Sequence, residues 1–134
     1  MPTHIFTYGT LMFETVWLRV AGIKCNSCRA QMSGFQRKAV KGQVYPVLIP
    51  GAKNDKVDGI IYLEVNDDII QKLDRFEGQA YKRRKVQVEI NDGSKIPAQA
   101  YILKKAFFPI IEDRTWDQQQ FAERSIKDFP GEDV

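Results

Sequence analysis

Histidine and cysteine are scarce in this chain: one His, His4, and two Cys, Cys25 and Cys28, among 134 residues. That scarcity removes several chemistries at once. A closed zinc site takes four ligands, whereas the "CNSC" pair offers two and the lone imidazole is distant in sequence. A redox pair is expected after a strand and at a helix start. Here it follows a predicted helix and its glycine stop, so the two residues read as reduced thiols with no shared task. A Ser or Cys nucleophile needs a neighbouring base, and no G-x-S-x-G elbow occurs. Walker loops, the G-x-G-x-x-G fingerprint, zinc-protease and calcium-loop patterns are also missing. No apolar run reaches the roughly 18 residues of a membrane helix, and "MPTHIFTYG" has no basic leader before an apolar block. A cytoplasmic location without membrane contact is the expectation.

Charge of one sign is not concentrated either. The formal net charge is +3, and Lys and Arg are spread along the chain apart from "YKRRK" at 81–85 and "LKK" at 103–105. Basic residues that interrupt apolar alternation read as a solvated strand face, so no nucleic-acid partner is expected. A single-strand-binding barrel would need these residues beside exposed aromatics such as Phe107 and Phe108, but "AFFPII" beside Pro109 reads as core or chain crossover. The length suffices to bury roughly two-thirds of the unfolded surface without disulfide or metal, and one domain over 1–134 is expected.

What is present is strand punctuated by short helix. "THIFTY" predicts a first strand, and "ETVWLRVA" a helix with Val16, Trp17 and Val20 on one face and Gly22 as its stop. "RAQMSGFQRKAVKG" predicts two short strands or one bent one. The prolines bracketing "YPVLIPG" argue against a central strand there, and "KVDGIIYLEV" predicts a strand. "NDDIIQKLDRFEG" predicts the best helix, capped by Asn66 or Asp67, striped by Ile69, Ile70, Leu73 and Phe76, and stopped at Gly78. "YKRRKVQVEI", "NDGSK" and "IPAQAYIL" predict a long hairpin. A polar helix anchored by Trp116 and Phe121 is expected in a C-terminal helical extension over 112–134. The pattern points to an α+β fold: a small, mixed, mainly antiparallel β-barrel with a few flanking helices.

Two places carry chemistry. Glu77 lies in the last turn of the predicted helix, where the macrodipole disfavours an anion by roughly 0.3 to 1 kcal/mol. Partial desolvation by Phe76 and Tyr81 would add to this and push the carboxyl toward neutrality, as a proton shuttle requires. Gly9 interrupts a good strand in "FTYGTLMF". A turn there would aim the N–H groups of Gly9, Thr10 and Leu11 into one anion-binding concavity.

The order "TYGTLM", "KGQVYPVLIPG", "VDGIIYLEV", "LDRFEGQAYKRRKVQV", "AQAYIL" resembles the gamma-glutamylcyclotransferase-like superfamily, in particular its avirulence-induced-gene-like, gamma-glutamylamine cyclotransferase branch, over residues 3–105. The resemblance implies a cofactor-independent, metal-free enzyme whose partner is a small γ-glutamyl compound, converted to 5-oxoproline with release of an amine. It further implies that the backbone of Tyr8, Gly9, Thr10 and Leu11 holds the glutamyl group and that Glu77 is the general acid/base. Tyr81 matches an aromatic after the acid, Tyr45 and Pro46 a pocket wall, and Arg83 an arginine two places beyond the tyrosine. The alternative on the same fold is a module that captures a small carboxylate without turning it over. A glutamate at position 77 favours the enzyme.

Overall fold

The computed structural model describes residues 3–40 and 46–115. Alternating apolar residues build β1 (Thr3–Thr7), β2 (Ser27–Ser33), β5 (Lys56–Val65), β6 (Tyr81–Ile90) and β7 (Lys95–Leu103), which close a barrel in the order β1-β5-β2-β6-β7. Neighbours run antiparallel except β1 and β7, whose parallel contact closes the barrel at Ile5 and Gln99. The expected α+β class with a small mixed barrel is what is found.

Because side chains alternate along a strand, adjacent residues serve two cores. Phe6, Ala30, Met32, Val57, Ile61, Val88, Ala98 and Ala100, drawn from all five strands, fill the barrel. Their neighbours Ile5 and Tyr62 face outward, where α1 (Glu14–Ala21) and α2 (Asp67–Glu77) cover them with Val16, Trp17, Val20, Ile69, Ile70 and Leu73. Each fully buried side chain of this size stabilises the fold by about 1.5–3 kcal/mol. Trp17 and Tyr62 stack with ring centroids 3.7 Å apart and fix the seat of α1 on the barrel.

β3 (Phe35–Val40) leaves the barrel at Gly34 and forms a second sheet in the order β4-β3-β8, with β4 spanning Pro46–Pro50 and β8 Ile111–Thr115. The stretch "RAQMSGFQRKAVKG" is thus two strands in two different sheets. β4 is an edge strand with a proline at each end, which leaves the ladder on its interior intact. Residues 111–115 are strand where a helical extension was expected to begin at 112, because "IEDRT" pairs with β3. The remainder of that extension, with Trp116 and Phe121, lies outside the described residues. "KAFFPI" forms a 3-10 helix over Lys105–Ile110, with Phe108 packed against Val47 and Leu103 and Phe107 exposed, so only part of this segment is core.

Candidate active site

The position of Glu77 follows from how α2 begins and ends. The Asn66 side chain accepts the N–H of Ile69 at 3.0 Å and caps the first turn, where Asp67 and Asp68 complement the dipole. Ile69, Ile70 and Leu73 anchor the helix on the barrel. Gly78, at φ 80° and ψ −168°, ends it and turns the chain into β6. Glu77 therefore stands at the rim of the barrel, half-buried. Burial first, and the negative charge of Asp74 one turn earlier second, push its carboxyl up to about 8. The expected desolvating neighbours are present: Phe76 and Tyr81 are partly buried against the same helix-side core.

Across the rim is the segment that follows β1. Tyr8 is buried, and its hydroxyl donates to the carbonyl of Tyr101 at 2.5 Å. Its phenol is held well above the usual range by burial and then by Glu77, with Tyr81 adding to it and a backbone hydrogen bond from Leu48 opposing. The Glu77 carboxyl is thus near enough to act on the Tyr8 phenol. Residues Thr10–Met12 form a single 3-10 turn. Gly9 sits at its start against Pro46: a Cβ built there would lie 2.7 Å from Cγ and 2.8 Å from Cδ of that proline. The strand breaks at a glycine because the backbone and the proline wall approach closer than any side chain permits.

The carbonyls of this segment all have protein donors. Arg37 Nη1 donates to Tyr8 O at 2.8 Å, Met12 N–H to Gly9 O at 3.0 Å, Phe13 N–H to Thr10 O at 3.2 Å, and the Tyr62 hydroxyl to Leu11 O at 2.9 Å. As at any helix start, the N–H groups of Gly9, Thr10 and Leu11 precede the first intrahelical donor. Free donors at such a turn would suit a carboxylate or an oxyanion.

Of the other residues singled out by sequence, Pro46 is buried beside Gly9, and Tyr81 is half-buried next to Tyr8. Arg83 reaches back to α2 and pairs with Asp74 at 3.0 Å. Tyr45 lies outside the described residues. Sequence reasoning missed four residues that shape this corner: Arg37 and Tyr62, which engage carbonyls of the 8–11 segment, and Asp74 and Tyr101, which are joined at 2.6 Å. For Asp74 a signal existed, since position i−3 to Glu77 shares its helix face. The other three act on partners 29, 51 and 27 residues away and leave no local trace.

Cys25 packs with the helix-side core and Cys28 with the barrel core, both as free thiols. Among the described residues no group of three or more His, Cys, Asp or Glu could hold a metal ion, and no helix is long and apolar enough to cross a membrane. Residues 82–85 are exposed. A cleft of about 250 Å³ between β3 and the start of β5, lined by Gln36, Arg37, Lys38, Asp55 and Lys56, contains none of the predicted site residues.

A family model described as gamma-glutamyl cyclotransferase, AIG2-like, matches residues 5–118. The chain belongs to this family. AIG2-like protein D of Arabidopsis thaliana is 34% identical over 127 residues, covering 93% of this chain and 82% of its own. A solution structure of another Arabidopsis thaliana protein superposes with a TM-score of 0.76 at 22% identity, covering 92% of this chain and 74% of its own. A solved gamma-glutamyl cyclotransferase shares the fold with a TM-score of 0.65 at 20% identity, over 78% of this chain and 68% of its own. Membership of the AIG2-like family supports a gamma-glutamyl cyclotransferase-like function, and the neighbours share the fold.

Proposed function

We propose that this AIG2-like chain is a cofactor-independent enzyme that cyclises a γ-glutamyl compound to 5-oxoproline and releases the amine, with Glu77 as general acid/base. The observation that supports this reading is Glu77 itself, a carboxyl whose proton affinity is raised to about 8 near the turn that follows β1. The substrate supplies its own nucleophile. Its neutral α-amine attacks the γ-carbonyl carbon within one molecule, and holding that folded conformer is worth roughly 7 to 11 kcal/mol. As the new C–N bond forms, the attacking nitrogen gives a proton to ionised Glu77. The same carboxyl returns that proton to the departing nitrogen as the old C–N bond breaks, so the residue ends as it began. The N–H groups of Gly9, Thr10 and Leu11 bind the α-carboxylate or the developing oxyanion. A carboxyl titrating near 8 suits a group that must both take and give a proton near neutrality.

The test is incubation with γ-glutamyl amino acids, a γ-glutamyl-ε-lysine compound and a glutathione-type peptide, with mass-spectrometric detection of product. The expected result is 5-oxoproline and free amine from at least one of them. Binding of these compounds without turnover would assign the protein to the carboxylate-capturing alternative.

A further inference from the structure

A second carboxylate stands one turn before Glu77 on the same helix face, an arrangement that isolated helices disfavour. In this fold Asp74 has three donors. The Tyr101 hydroxyl donates to Oδ1 at 2.6 Å, Arg83 Nε to Oδ1 at 3.0 Å, and Arg83 Nη2 to Oδ2 at 3.3 Å. Arg83 is held in turn by Gln99, to whose Oε1 its Nη1 donates. The carbonyl of Tyr101 accepts from Tyr8. One carboxylate therefore fastens the last turn of α2 to β6 and β7, and through Tyr101 to the end of β1.

We propose that Asp74 is a positioning residue for Glu77, fixing its turn of α2 against the 8–11 segment and keeping a negative charge beside it. This rests on the reading of Glu77 as the acid/base. The titratable and charged groups that the described residues bring to this corner are Tyr8 from the segment after β1, Tyr81 and Arg83 from β6, Tyr101 from β7, and Asp74 itself. Burial holds the Tyr8 and Tyr101 phenols above their ordinary range, so they act as neutral donors. The charge that acts on Glu77 is Asp74, and the Arg83 cation is paired with that carboxylate.

Two variants separate this role from general support of the fold. Asp74→Asn keeps the shape and an acceptor for Tyr101, removes the negative charge and leaves the Arg83 cation without its carboxylate partner. Both changes favour ionised Glu77. Arg83→Gln removes the cation and leaves Asp74, which favours the protonated form. The experiment is a pH titration of the full chain, carboxyl-¹³C-labelled at glutamate, followed by NMR with the Glu77 signal assigned through Glu77→Gln. The expected result is a Glu77 midpoint lower by about one pH unit in Asp74→Asn and higher in Arg83→Gln. The pH dependence of kcat/KM should move with each. An unmoved midpoint in Asp74→Asn, or displacement in the same direction in both variants, would overturn the inference. Should Asp74→Asn not fold, Arg83→Gln decides alone: an upward displacement supports the role and an unmoved midpoint overturns it. The titration needs no substrate, so its outcome is separable from failure of the enzymatic reading, which the product assay detects.

Discussion

Two regions of the molecule each hold a carboxylate against partly buried surroundings, and they treat it in opposite ways. In the cleft between β3 and β5, Asp55 accepts the N–H of Ala52 and the side-chain amide of Gln36, each at 2.7 Å. Those bonds, the backbone one first, hold its carboxyl below the usual range. At the rim, burial and a like charge dominate at Glu77 and favour the proton instead. A carboxylate supplied with donors is a structural anchor that gives up its proton early. One that is desolvated beside another carboxylate keeps a proton available near neutrality. Arg37 links the two regions, since it lines the cleft and donates to the carbonyl of Tyr8.

The contrast can be broken most forcefully by exchanging charge for amide in each region. Glu77→Gln should fold as the parent does and lose turnover by roughly 10² to 10⁴-fold, whereas Asp55→Asn should keep turnover within about twofold, the scale of effect expected of a group outside the chemistry. Steady-state 5-oxoproline release on both variants, with circular dichroism as a folding control, checks this. Next in size is Gly9→Val. The new side chain must displace Pro46 or the turn itself, so turnover should fall at least about tenfold and stability by about 1–3 kcal/mol, read from the same assay and a urea unfolding curve.

Stability against pH sharpens the contrast through its sign. Glu77 binds its proton more tightly folded than unfolded, so its contribution is fully present below about 4.5 and is lost as pH rises through about 8. Urea midpoints of the parent should therefore decline relative to Glu77→Gln between those values. Asp55 is the reverse case. Its contribution is present above the ordinary carboxylate value of 3.8 and disappears as pH falls through the lower folded value, so the parent should lose its advantage over Asp55→Asn only in acid. The smallest effect is expected at the other end of α2, where Asn66→Ala removes the cap and should cost about 1 kcal/mol of stability with kcat unchanged.

Much of this arrangement was legible before any coordinates. α2 was readable at both ends, from its Asn cap and glycine stop, and α1 from its apolar spacing and glycine stop, because these are local signals, and the β6–β7 hairpin because "NDGSK" separates two alternating runs. Glu77 was legible for the same reason, being the last residue before a helix stop. What could not be read depends on distant partners. The departure of β3 into a second sheet is decided by pairing with β4 and β8, and "IEDRT" carries too little alternation to announce a strand. Arg37 and Tyr62 look like ordinary strand residues until the fold sets them against the carbonyls of Tyr8 and Leu11. The rise in the proton affinity of Glu77 was expected from the helix dipole and apolar neighbours. Burial is indeed its first cause, but the second is Asp74, whose partners Arg83 and Tyr101 arrive from two other strands.

The central claim is that the proton at the end of α2 takes part in the reaction. It is tested most directly by measuring kcat/KM for 5-oxoproline release across pH 5 to 9, side by side in the parent and in Glu77→Gln. The account predicts a parent rate that climbs as Glu77 ionises toward about 8 and a variant that stays far below it throughout. A variant that tracks the parent at every pH would contradict it.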